Sequence, residues 1–408
     1  MPVDRLTPIL QEHVANLHRA GTAKGSETVV VGVKRAEGDR GPRFLLRGEG
    51  DKEFMRMNSN SYLGMGLRPE VIDAEEAATA QFGAGPGAVR FISGSYEAHL
   101  TLERELAEFH GRDAGMIFSS AYATVVSTIS SLVTPETVLI SDELNHNCII
   151  NAMRLSRPVG KAIYGHNDMA QLEAALVEWK GKAKRALVVT DGIFSMRGDH
   201  APLEEVMELC ARHDAGFEEN VVSIVDDSHG VGAMGRTGRG TEEYTECAPA
   251  DVLVGTLGKA FGVNGGYVVA DESTIAFLRE SSQMYIYSNP ITVGEAAAAL
   301  ASLRIVASPE GEALLARLRS LTQRFEDGLG RIGIETIPGA HPVVPLMIRD
   351  THKTHALVRH LYDHGVLVTG LAYPVVPRGD EEIRAQVNAD HTEADIDSVL
   401  AILEGYSR

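Results

Sequence analysis

The chain has 408 residues and is 44% hydrophobic and 23% charged, with 41 glycines, 16 prolines and 6% aromatics. That composition excludes disordered, collagenous and disulfide-framework proteins. Its 38 Lys+Arg against 56 Asp+Glu leave a formal charge of −18, which argues against nucleic acid or an anionic membrane as a partner held by the overall field.

The length predicts more than one hydrophobic core, because a single core stops growing at roughly 250–300 residues. Residues 4–20 set Leu6, Ile9, Leu10, Val14 and Leu17 at helical spacing and predict an amphipathic helix. Asp4, Arg5, Glu12 and His13 deny this segment the apolar core of a signal peptide. The most apolar stretch, 121–140, is broken by Ser, Thr, Pro135 and Glu136, so no membrane span is expected. Cys148, Cys210 and Cys247 form no C-x-x-C pair and predict isolated thiols in a reducing compartment. A cytoplasmic protein is expected.

A glycine- and charge-rich stretch with short strand-like runs extends to about Met57. From Pro69 onward, helical segments such as 99–111 alternate with flat apolar runs at 115–118, 137–140, 186–190, 221–225 and 252–254. Apolar runs without alternation, separated by helices, predict a mostly parallel sheet covered on both faces. The fold class is therefore α/β. After an Ala-rich helix at 293–307 the pattern changes. A helix at 310–331, strands at 343–348 and 366–369, a helix at 352–365 and a last helix at 392–404 predict a smaller α+β domain. The expected organisation is 1–64 as a segment joining the small lobe, 65–308 as the large α/β domain and 309–408 as the C-terminal domain.

Two apolar runs end in chemistry. Val221-Val222-Ser223-Ile224-Val225 leads into Asp226-Asp227-Ser228-His229, and Val252-Leu253-Val254 leads into Gly255-Thr256-Leu257-Gly258-Lys259. In an open α/β sheet, ligands bind beyond the carboxyl ends of the strands. A lysine among small residues after a buried strand is unusual, and burial lowers an amine's pKa as a Schiff-base lysine requires. A carboxylate facing a pyridine nitrogen would keep that nitrogen protonated. The pair Asp226 and Lys259 therefore predicts pyridoxal 5′-phosphate, although either residue alone reads equally well as a cap or an exposed loop side chain. The glycine run Gly230-x-Gly232-x-x-Gly235 matches a dinucleotide fingerprint, but Arg236-Thr237-Gly238-Arg239 is a poor helix start. Gly258-Lys259 lacks the Ser/Thr of a phosphate loop, because Ala260 follows. No metal site is expected.

The chain resembles the α-oxoamine synthases, fold-type I pyridoxal-phosphate enzymes that condense an amino acid with an acyl-CoA. The resemblance rests on the order of Asn58-Ser59-Asn60-Ser61-Tyr62-Leu63-Gly64, Arg90-Phe91-Ile92-Ser93-Gly94-Ser95, Leu144-Asn145-His146, Asp191-Gly192-Ile193-Phe194-Ser195-Met196, Asp226-Asp227-Ser228-His229, Thr256-Leu257-Gly258-Lys259 and Tyr287-Ser288-Asn289. Within the family, Tyr373-Pro374-Val375-Val376-Pro377-Arg378-Gly379 and Ile383-Arg384-Ala385-Gln386 look most like glycine C-acetyltransferase. The segment from Lys259 to Tyr267 is one residue shorter than in that enzyme and resembles the decarboxylating aminolevulinate and aminooxononanoate synthases instead.

The resemblance implies an acyltransferase acting on glycine or another small amino acid and acetyl-CoA or another acyl-CoA. A decarboxylating synthase is the alternative, and an aminotransferase or aldolase of the same fold comes third. It implies a homodimer with the active site at the subunit interface. Lys259 would be the Schiff-base lysine and the base, Asp226 the partner of the ring nitrogen, and His146 the residue stacked on the ring. His229 would bind the phenolic oxygen and polarise the thioester carbonyl. Ser120, Ala121, Tyr122 and Thr256 would hold the phosphate, with Ser288 from a second subunit. Arg384 would bind the substrate carboxylate, assisted by Ser195 and by Asn60 of the partner chain.

Overall fold

The computed structural model describes residues 3–20, 23, 25, 27–373 and 376–407. Pro374 and Val375 of the run 373–379 lie outside the described residues. Strands form in the order β1 (Val30–Lys34), β2 (Arg43–Leu46), β3 (Glu53–Arg56), β4 (Ala114–Phe118), β5 (Thr137–Asp142), β6 (Gly160–Tyr164) and β7 (Arg185–Asp191). They continue as β8 (Val221–Asp226), β9 (Val252–Thr256), β10 (Gly266–Ala270), β11 (Val343–Met347), β12 (Val366–Leu367), β13 (Thr369–Leu371) and β14 (Glu382–Gln386).

The central sheet has seven strands in the order β4-β10-β9-β8-β7-β5-β6. β6, β5, β7, β8 and β9 pair parallel, and β10 runs antiparallel to both β4 and β9. This is the expected mostly parallel α/β sheet. Its strands are apolar on consecutive positions because both faces are buried. Leu139, Leu187, Ile224 and Val254 pack with Val125, Ile129 and Ile149 on one face. On the other face Val138, Val188, Val225 and Leu253 pack with Leu172, Leu203 and Leu303.

Two strands of this sheet escape the reading of flat apolar runs. β6 lies at an edge and alternates between exposed and partly buried residues up to the buried Tyr164, so its sequence Gly-Lys-Ala-Ile-Tyr looks like a loop. β10 returns directly from the lysine loop with no helix between, through Gly265 at φ +121°, a conformation that favours glycine.

The helix Leu6–Arg19 forms where predicted, yet none of its residues is buried. Chain order then builds two smaller sheets. β1, β2 and β3 form an antiparallel meander whose last strand pairs parallel with β12, tying the N-terminal segment to the C-terminal region. β14 lies between β11 and β13, antiparallel to both. The single strand predicted over 366–369 is thus two short strands serving different sheets. The helices Pro309–Arg331 and Glu393–Ser407 cross beside them, linked by Arg324 to Asp397 at 2.7 Å.

Candidate active site

The parallel strands deliver their last residues to one edge. Asp191 and Asp226 are register partners at the ends of β7 and β8, and Thr256 ends β9. Lys259 follows three residues later in the loop to β10. Together with Ala121, Tyr122, His146, Cys148, Ile193, Ser195, Ser228 and His229, these residues line a cavity of about 200 Å3. The sheet therefore brings together most of the residues that the sequence nominates, from segments far apart in the chain.

Lys259 Nζ has no hydrogen-bond partner among the described residues. Burial lowers its pKa to about 8, against the pull of Asp226 and Asp191 in the other direction. Asp226 is buried; it accepts the Ser228 amide at 3.1 Å and faces the Cys148 thiol at 3.6 Å. Asp191 accepts the His146 amide at 2.9 Å, and burial, reinforced by Asp226, pushes its carboxyl well above the usual range. Two carboxylates on adjacent strand ends cannot both ionise cheaply unless a cation sits between them.

His146 caps the helix Asn147–Leu155, its Nδ1 accepting the Cys148 amide at 3.3 Å. The capping role and a place in the cavity wall coexist. His229 is buried, and burial, then Lys259 and Arg384, keep it neutral by pushing its pKa well below the ordinary value. Its Nδ1 lies 2.7 Å from the hydroxyl of Tyr62. Tyr62 is fully buried at φ +25°, and burial raises its phenol above the usual range. A protonated phenol donates to Nδ1, which leaves neutral His229 with its proton on Nε2.

The helix Ala121–Leu132 starts at the cavity. Ser120 Oγ accepts the Ala123 amide at 3.2 Å, while the amides of Ala121 and Tyr122 have no acceptor among the described residues. Gly266, opposite, has no side chain; a Cβ there would overlap the backbone of Ala121. Ser228 Oγ is likewise buried without a partner. Free helix-start amides, an orphaned hydroxyl, a neutralisable amine and a buried carboxylate are the donor set that a phosphorylated pyridine aldehyde requires. The residues present fit that group.

Arg384 extends from β14 and donates through Nε to the Ser195 carbonyl at 2.5 Å and through a terminal nitrogen to Asn60 Oδ1 at 3.2 Å. The Tyr62 hydroxyl, whose proton goes to His229, lies 3.3 Å from Asn60 Oδ1. Asn60 meets Arg384 and Gln386 of its own chain, at 3.2 and 3.4 Å. Ser288 does not line the cavity; its hydroxyl faces the Asn289 carbonyl at 3.5 Å.

The glycine run is structural. Cβ atoms at Gly230 or Gly240 would overlap the Asp227 carboxylate, which accepts the Thr241 amide at 2.7 Å and the Thr241 hydroxyl at 2.5 Å. Its resemblance to a dinucleotide fingerprint comes from packing around a buried acid.

A family profile for class I and II aminotransferases matches residues 52–403. An 8-amino-7-oxononanoate synthase of Fervidobacterium nodosum is 34% identical over 396 residues, covering 96% of this chain and 95% of that protein. The chain belongs to the α-oxoamine synthases. An 8-amino-7-oxononanoate synthase of Exiguobacterium sibiricum is 38% identical, covering 86% of this chain and 87% of its own length. A solved serine palmitoyltransferase with its pyridoxal phosphate internal aldimine superposes at a TM-score of 0.87 with 25% identity, covering 99% of this chain and 97% of that one. The α-oxoamine synthase fold is fold type I and its cofactor is pyridoxal 5′-phosphate.

Asp191, Ser228, Tyr62 and Cys148 belong to the site although the motif reading gave them no role. For Asp191 a signal existed, since it ends an apolar run just as Asp226 does. Tyr62 carries no such signal.

Proposed function

We propose that this α-oxoamine synthase joins a small amino acid to the acyl group of a CoA thioester with loss of the amino acid's carboxyl group. The named relatives support the decarboxylating alternative over the glycine acetyltransferase suggested by the C-terminal motifs. In 8-amino-7-oxononanoate the amine-bearing carbon lies beside the ketone and carries a methyl group, which is alanine without its carboxyl. The rest of the skeleton is an acyl chain ending in a carboxylate. Alanine and a dicarboxylic acyl thioester are therefore the leading substrate pair.

The observation that carries the reading is the amine of Lys259 beside Asp226 and Asp191 in a cavity whose Ser195 carbonyl holds Arg384. Bound pyridoxal phosphate supplies an electron sink for the carbanion that forms beside the amine. Asp226 would face its ring nitrogen, His146 its ring, and the amides of Ala121 and Tyr122 with Thr256 its phosphate. Lys259, with a pKa near 8, holds and releases a proton at the substrate carbon near neutral pH. His229 Nε2–H donates a hydrogen bond where charge develops on an oxygen. Arg384 orients the substrate carboxylate with a planar pair of donors. We further propose a homodimer whose partner chain brings Ser288 to the cavity, with a larger lobe over 65–308 and a smaller one formed by 1–64 and 309–408.

The test measures CoA release with glycine, alanine and serine against acetyl, longer and dicarboxylic acyl thioesters, with mass analysis of products. A decarboxylated aminoketone supports the reading. CoA release with the carboxyl retained supports glycine C-acetyltransferase, and no thiol release from any pair overturns both.

A further inference from the structure

Residues 192–201 leave β7 as a tight turn that the mechanism uses only at its tip. Ile193 bridges His200 antiparallel, the Phe194 amide donates to the Asp199 carbonyl at 2.9 Å, and the Gly198 amide donates to the Phe194 carbonyl at 2.9 Å. Ser195 at the tip lines the cavity and offers its carbonyl to Arg384. The near end is tied to the sheet by the Gly192 amide on the Asp226 carbonyl, 2.9 Å.

The far end is held by His166, just beyond β6. Its Nδ1 lies 3.3 Å from Asp142 Oδ1 at the end of β5, and its Nε2 lies 3.1 Å from Asp199 Oδ2 on the turn. The ring stands edge-on to Phe194, with centroids 4.4 Å apart at 88°. A neutral imidazole has one N–H and can satisfy only one of these carboxylates; the cation satisfies both. The Asp142 side chain is fully buried and those of His166 and Asp199 are mostly so, which strengthens such charge-assisted bonds.

We propose that His166 is a positioning residue for the Arg384 subsite: held as an imidazolium between Asp142 and Asp199, it anchors the turn whose Ser195 carbonyl fixes the guanidinium. The assignment rests on the reading of Arg384 as the carboxylate-binding residue.

The surrounding charges agree with a cation there. Glu143 accepts the backbone amide of His166 at 3.0 Å, Arg197 Nε shares Asp199 Oδ2 at 3.0 Å, and Asn167 links Asp142 to the His200 carbonyl. Burial lowers the His166 pKa, but the hydrogen bonds to Asp142 and Asp199 outweigh it and carry it up to about 9. A histidine whose folded value exceeds its unfolded value contributes stability that is complete below about 6.5 and disappears as pH rises through the folded value. His200 is held down by burial, and Glu382 across the gap on β14 is raised by burial to about 7, so both titrate below His166.

The experiment uses the cofactor-loaded enzyme and the variants His166→Gln and Asp199→Asn. Hydrogen exchange at the Phe194 and Gly198 amides is expected to accelerate in both variants at pH 7. In the unmodified enzyme it should accelerate between pH 8 and 10 beyond the intrinsic pH effect. KM for the amino acid is expected to rise about tenfold with kcat little changed, since a small displacement of a binding group is costly. Should His166→Gln fail to fold, Asp199→Asn gives the same readouts. Unchanged exchange in the folded variants overturns the anchor, and faster exchange with unchanged KM overturns its link to Arg384. If the unmodified enzyme turns over no amino acid, the functional reading fails, while exchange and an imidazole 15N titration still decide whether His166 is the clamp.

Discussion

The edge of the central sheet and the C-terminal sheet supply the site in different ways. At the sheet edge, Asp191, Asp226, Thr256 and Lys259 come from neighbouring parallel strands or the loop directly after one. Their separations follow from backbone register, which hydrogen bonding fixes along the whole strand. Arg384 comes from a different sheet, and its guanidinium is held by contacts to separate elements, the Ser195 carbonyl, the Asn60 amide and the Tyr62 hydroxyl. The reaction centre is thus built into the fold, whereas the carboxylate-binding group depends on how side chains of separate elements meet. That division lets substrate preference change while the chemistry stays in place.

The largest effect should come from the register-fixed side. Lys259→Ala removes the group proposed to move the proton and should lower CoA release by about 10³-fold or more, a loss in the range for general-base and covalent roles. Far-UV circular dichroism should stay unchanged, since the lysine amine has no structural partner. Turnover within tenfold of the unmodified enzyme would remove Lys259 from the mechanism. On the other side, Arg384→Lys keeps the charge and loses the planar fork. It should raise KM for the amino acid by about 10- to 100-fold, about 1.4–2.8 kcal/mol, with a smaller change in kcat. A kcat loss rivalling that of Lys259→Ala would show that the two regions do not divide the work.

The same contrast explains what was legible in the sequence. Asp226 and Lys259 each follow a flat apolar run, and such runs are buried parallel strands whose carboxyl ends border ligand sites. Arg384 sits in Asp380-Glu381-Glu382-Ile383-Arg384, whose charges suggest a solvated loop, and β14 escapes a periodicity reading for that reason. In the structure Glu381 and Glu382 are buried, because Thr351 and backbone amides occupy the first and the small C-terminal sheet encloses the second. Only the family motif singles out Arg384. Tyr62 and His166 have no signature in periodicity or spacing, since their roles come from tertiary contacts across more than twenty residues. The alternation that hides β6 also hides the strand that delivers His166.

A third measurement probes the sheet edge alone. Capture of pyridoxal phosphate needs a neutral amine, and burial puts the Lys259 amine near 8. With the cofactor-free protein, the capture rate should rise about tenfold per pH unit below that value and level off above it. A midpoint near the free lysine value, about 10.4, would mean that the cavity is open to water and does not depress the amine.

The smallest effect separates two adjacent acids on the same strand end. Asp226 faces the cavity, but Asp227 faces the glycine corner, where it accepts both Thr241 donors and fits only because Gly230 and Gly240 lack side chains. Gly240 also sits at φ +99°, where a side chain is strained. Gly240→Ala should therefore cost about 1–3 kcal/mol by overpacking, read as a thermal midpoint lower by a few degrees, with turnover at 25 °C nearly unchanged. Loss of turnover at full stability would instead make Asp227 part of the reaction centre. Chemistry and packing would then share one register-fixed strand end, and their separation across a single peptide bond would be lost.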